Sequence, residues 1–144
     1  MRVRIILSLL AVVALFALAR PARASVNLGL GADWIEGGVG ELNLTLGADT
    51  SLARNLSLGG RAGAAFFEDS HHLGIPMDLL LKLRIQRIYF EGLVGPWVLF
   101  NAGDLFRFHG AFGFGFESGS FAFGLELGRL GPANLIGLRL VFKL

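Results

Sequence analysis

The chain has 144 residues, enough for one domain, and a formal net charge of +2 that does not survive division into its parts. Arg2, Arg4, Arg20 and Arg23 all lie in the first 24 residues; without them nine Lys/Arg face eleven Asp/Glu, a net of −2, so a basic nucleic-acid surface is excluded. Cysteine is absent, which removes disulfides and thiolate metal sites, and 53% of the residues are hydrophobic, high for a surface that must face water.

The chain opens with a positive start at Arg2 and Arg4, an apolar stretch over Ile5 to Ala19, and Ala22-Arg23-Ala24 with small residues where a signal peptidase reads. This predicts a secretory signal peptide over residues 1–24, cleaved before Ser25. Beyond it no apolar run approaches the ~18 residues that a membrane helix needs.

From Val26 the dominant period is two, the period of a strand. Val26 to Trp34, Leu42 to Ala48 and Leu56 to Phe66 each place apolar residues at alternate positions, and Ile75 to Ile85 opposes its apolar set to Asp78, Lys82 and Arg84. Ile88 to Val98, Phe106 to Phe116, Phe121 to Leu127 and Ile136 to Leu144 repeat the scheme. Eight segments of about ten residues match tilted membrane strands. The predicted connections at Gly37-Gly38, Leu52–Asn55, Gln86-Arg87, Asn101–Asp104, Gly119-Ser120 and Gly131–Asn134 are short and suit hairpins; Glu68–Gly74 alone is longer. Short connections make a meander, and an even count lets the last strand close on the first.

Alternation does not say which face points outward, but the second face is full of glycine. Glycine in a strand with nothing close to pack against is a cost. Inside a narrow barrel it makes room for Arg, Lys and Glu. Thirteen phenylalanines, crowded onto the other face, suit lipid. The predicted fold is therefore all-β: an eight-stranded antiparallel up-and-down transmembrane β-barrel over residues 25–144. A soluble, lipocalin-like periplasmic barrel holding an apolar ligand is the binding-module alternative.

The signal peptide, the eight alternating strands and the ending Leu140-Val141-Phe142-Lys143-Leu144 resemble small porin-like outer-membrane barrels of Gram-negative bacteria, such as the transmembrane domain of outer-membrane protein A and outer-membrane protein X. In those relatives a terminal aromatic ends the last strand; here Leu144 stands in its place. The resemblance implies a location in the outer membrane with both termini in the periplasm. The partners it implies are outer-membrane lipid and, during biogenesis, the barrel-assembly machinery. A monomer is expected, with no nucleic acid and no cofactor.

Hairpin register then predicts a charged lumen. A turn at Gln86-Arg87 sets Lys82 opposite Glu91, and a turn at Gly119-Ser120 sets Gly113 opposite Glu126. A four-residue loop at Gly131–Asn134 would set Glu126 opposite Arg139, with Arg61 beside Lys82 and with Arg107 and His109 also in the network. Cross-strand opposites are close enough to pair, and buried charges need partners. The belt is expected to rigidify the lumen; a gate that exchanges Glu126 between Arg139 and another cation is the sharper reading. No catalytic or metal residues are expected. Glu68, Ser70, His71 and His72 have the residue types of a metal site or of the lipid A-modifying barrels, but neighbours along an extended loop point apart. Trp34 and Tyr89 are expected at the membrane interfaces and Trp97 either there or inward.

Overall fold

The computed structural model describes residues 24–69 and 72–144; the predicted signal peptide, apart from Ala24, lies outside the described residues. The eight strands are β1 (Ser25–Ile35), β2 (Val39–Ser51), β3 (Leu56–Phe67), β4 (Leu73–Ile85), β5 (Ile88–Leu99), β6 (Phe106–Ser118), β7 (Phe121–Leu130) and β8 (Ala133–Lys143). Each pairs antiparallel with the next and β8 pairs with β1, closing the barrel. Closure leaves no edge, so the ladders satisfy the backbone within hydrocarbon, the condition for crossing a bilayer with strands.

Stepping from partner to partner round the wall, Ser25 leads through Asp49, Gly59, Leu80, Leu93, Ala111, Gly128 and Leu135 to Ile35. The path thus regains β1 ten residues further along, from 25 to 35. That stagger tilts the strands, as closure of a small barrel requires. The connections at residues 52–55, 86–87 and 119–120, with both ends of the barrel chain, define one end, here the turn end. Those at 36–38, 68–72, 100–105 and 131–132 define the loop end.

The faces divide as the alternation predicts. Phe66, Phe90, Phe106, Phe108, Phe112, Phe114, Phe116, Phe121, Phe123 and Phe142 are exposed on the outside, beside a field of leucines on β1 to β4. Phe67 is the inward exception, at 8% exposure. Glycines face the lumen where side chains crowd it: a Cβ on Gly113 would lie 2.8 Å from Glu91 Cγ, and one on Gly137 would lie 2.7 Å from Arg139 Nη1 and strike the Asp33 carboxylate.

Several connections depart from expectation: 36–38 and 100–105 are longer than predicted and 68–72 is shorter, so that 100–105 is the longest, and the β7–β8 turn is shortened as well. Leu130 pairs with Ala133, so the β7–β8 turn is Gly131-Pro132 alone, with Gly131 at φ +59°, and Ala133 and Asn134 belong to β8. Glycine tolerates that φ without Cβ strain. The shorter turn slides β8 by two residues, which keeps every side chain on its predicted face.

Candidate functional site: a sealed charge network in the lumen

The inward residues form layers. At the loop end Ile35, Ala65, Phe67, Trp97, Leu99, Leu130 and Leu135 pack into one apolar cluster across the bore. Below it lies a polar belt centred on Glu126, on β7, whose side chain is 0% exposed. Arg61 reaches across the lumen from β3 and grips Glu126 with both terminal nitrogens, at 3.1 and 3.2 Å, while its Nε donates to Asp78 at 2.9 Å. A planar guanidinium fits such two-point recognition of a carboxylate. Arg139, on β8, donates to Glu126 at 3.0 Å from Nη2 and holds Asp33 of β1 through both terminal nitrogens.

His109 completes the ring. Its Nδ1 lies 2.8 Å from Asp78, and a carboxylate only accepts, so Nδ1 carries the proton it donates. Its Nε2 is 3.2 Å from Glu126 but out of line for a hydrogen bond. Trp97 donates from Nε1 to Asp78 at 3.2 Å, tying the apolar layer to the belt. Asn43 donates to both Asp33 and Glu41, and Glu41 Oε1 is left buried without a donor.

Two further groups lie toward the turn end. Lys82 is 3.4 Å from Glu91, opposite it in register, with its ammonium 4.6 Å from the ring centroid of Tyr89. At the rim Arg84 contacts Asp49 and Glu117, each at 3.2 Å, and Glu117 also accepts from Lys143. These side chains are partly open to solvent.

The structure brings some of the residues expected in a belt together and sets others apart. Lys82 faces Glu91, and Gly113 faces both Glu91 and Glu126, as expected. Glu126 faces Gly137 rather than Arg139, because the β7–β8 turn is two residues shorter; Arg139 meets it diagonally. Arg61 does not neighbour Lys82: Lys82 faces Ser57, and Arg61 faces Asp78. Arg107 stays out of the belt, at the loop end above the apolar layer, with its Nε buried and unmatched. Tyr89 is corrected too: at 2% exposure it is packed inside the barrel. Trp34 is exposed outward near the loop end, and Trp97 points inward. Asp33 and Asp78 are the belt members that register missed.

A sheet closed in this order, with apolar residues outside and a charged, filled lumen, can be set beside solved structures. It is similar to a de novo designed transmembrane β-barrel, at TM-score 0.67 and 11% identity over 83% of this chain and 95% of that one. The outer-membrane enzyme PagL matches at TM-score 0.64 and 13% identity, covering 82% and 98%. Ail, the attachment invasion locus protein of Yersinia pestis, matches at 0.53 and 13%, covering 86% and 99%. The fold is that of the small outer-membrane barrels. No protein-family model and no curated protein sequence matches the chain.

For such a barrel the belt's chemistry is restrictive. Both ring nitrogens of His109 face carboxylates and its side chain is 0% exposed. A base that acts on a substrate needs a nitrogen within reach of it. In the β3–β4 loop, Ser70 and His71 lie outside the described residues, while Glu68 packs beside Gly40. Among the described residues no group of three His, Asp or Glu is arranged to hold a metal.

Proposed function

We propose that this protein is a non-enzymatic outer-membrane barrel whose lumen is closed, serving as a passive component of the envelope with both termini in the periplasm. The apolar layer of Ile35, Phe67, Trp97, Leu99, Leu130 and Leu135 is the observation that carries the reading. An ion entering from the loop end would have to shed its water against hydrocarbon, then break the charge-assisted contacts of the belt.

The gate reading loses support on the geometry of Glu126, which Arg61 and Arg139 hold at once rather than in turn. The exposed outer face, rich in Phe and Leu, favours acyl tails over water, which supports outer-membrane lipid as the surroundings and disfavours a soluble binder. The likeness to PagL shows that this fold can host an enzyme. The burial of His109 supports the non-enzymatic side.

Planar-bilayer recording of the protein purified from membranes tests closure. Traces indistinguishable from protein-free bilayers are expected; stable ohmic steps would overturn it. Membrane fractionation tests location: co-sedimentation with outer-membrane lipopolysaccharide and release only by detergent are expected, and release by osmotic shock would favour the soluble alternative.

A further inference from the structure

Above the apolar layer the loop end opens into a cup of about 230 Å³. Ile35, Phe67, Leu99 and Ala133 make an apolar lining, and Arg107 and His72 stand on its wall. Arg107 is set there by strand register, inward on β6 opposite Trp97. The other lumen-facing cations, Arg61, Lys82, Arg84, Arg139, Lys143 and His109, each lie within 3.4 Å of a carboxylate. Arg107 has no such ion pair among the described residues; its Nε is buried without an acceptor, and His72 Nδ1 is buried without a partner.

A half-buried guanidinium over hydrocarbon asks for an acceptor-rich anion. Glu36 and Asp69, the two carboxylates at the cup, make no ion pair with Arg107: Glu36 is exposed and its Oε2 accepts from the backbone and side chain of Asn134 across the β1–β8 seam, and Asp69 is exposed and has an interaction of its own. A small, fully hydrated inorganic anion would leave the apolar lining wet. A carboxylate on a short hydrocarbon body answers both demands, two oxygens to the fork of Arg107 and the body on Phe67, Leu99 and Ile35. The cup is smaller than the roughly 300–1,000 Å³ of drug-sized sites, which keeps that body short. We propose that the loop-end cup is a binding site for a small aliphatic monocarboxylate. This goes beyond the closed-barrel reading and does not depend on it, since the cup opens outward from the seal.

The test is equilibrium dialysis of labelled hexanoate against the protein in nanodiscs, with empty nanodiscs correcting for partition into lipid. Saturable binding of one hexanoate per chain is expected. Arg107→Gln weakens it at least tenfold, Arg107→Lys falls between, and Ala133→Phe blocks it by filling the cup while leaving Arg107 in place. Heat-modifiable gel migration verifies that each variant is folded, and Ala133→Phe decides the matter if Arg107→Gln is not. Hexanol and inorganic phosphate should each compete at least tenfold less well than unlabelled hexanoate. Binding no greater than to empty discs, or retained in both Arg107→Gln and Ala133→Phe, overturns the site. Equal competition by hexanol reduces it to an apolar dent, and equal competition by phosphate to a plain anion site; either overturns the carboxylate proposal.

Discussion

The central belt and the turn-end cluster use the same chemistry in different surroundings. In both, an acidic residue is shared by two cations: Glu126 between Arg61 and Arg139, Glu117 between Arg84 and Lys143. Glu126 is 0% exposed and Arg139 only 4%, whereas the Lys143 side chain keeps 33% of its surface and that of Arg84 25%. Breaking a buried pair strands a charge that water cannot reach, while an exposed pair hands its charge back to solvent. An ion pair drawn between two residues therefore says little until its access to water is known.

Removing the shared buried charge should therefore matter most. Glu126→Gln keeps the shape and removes the charge on which Arg61, Arg139 and His109 converge, and should cost about 3–5 kcal/mol of unfolding free energy. Reversible urea unfolding in lipid vesicles measures it. A cost within about 1 kcal/mol of that for Glu117→Gln would erase the distinction between the two regions.

The space around the belt is a second point of attack. Gly137 faces Glu126, where a Cβ would strike the Asp33 carboxylate and approach Arg139. Gly137→Val should cost about 1–3 kcal/mol through overpacking. Gly92→Val, outward with nothing within 4 Å of an added Cβ, should be close to neutral. Equal costs would mean that strand propensity, not room for the ionic belt, explains the glycines.

Strands, faces and much of this belt were legible from the sequence because a period of two carries them. Once one face holds Phe and Leu and the other Gly and charge, the inside of each strand is known, and hairpin turns fix which neighbours meet. That logic reached Lys82 with Glu91, across one two-residue turn. It could not reach Arg61 with Glu126, which are 65 residues apart and meet across the bore, because no local pattern encodes how opposite walls approach. Asp33 escaped for a related reason: its partner Arg139 is brought near by the β1–β8 closure. The β7–β8 turn was misjudged because Gly131, Pro132 and Asn134 are all turn formers, and only the fold shows Asn134 inside β8, bonded to Glu36 across the seam. Arg107 has an inward position on β6, but height along the bore decides its company, and strand alternation does not give height.

The smallest effect is expected at the turn end and sharpens the comparison most. Glu117 accepts from Lys143 on β8 while Arg84 reaches it from β4, and the Lys143 ammonium keeps contact with water. Lys143→Gln should cost less than ~1 kcal/mol, and a double-mutant cycle with Glu117→Gln should give a coupling of a few tenths of a kcal/mol. That coupling should shrink further between about 0.1 and 1 M salt, as the screening length falls from about 10 to 3 Å. The equivalent cycle between Arg139→Gln and Glu126→Gln should show a coupling several times larger that salt barely changes, since both side chains are buried. Were both cycles to respond to salt alike, water and ions would be reaching the centre of the barrel, and access to solvent would not be what separates the two regions.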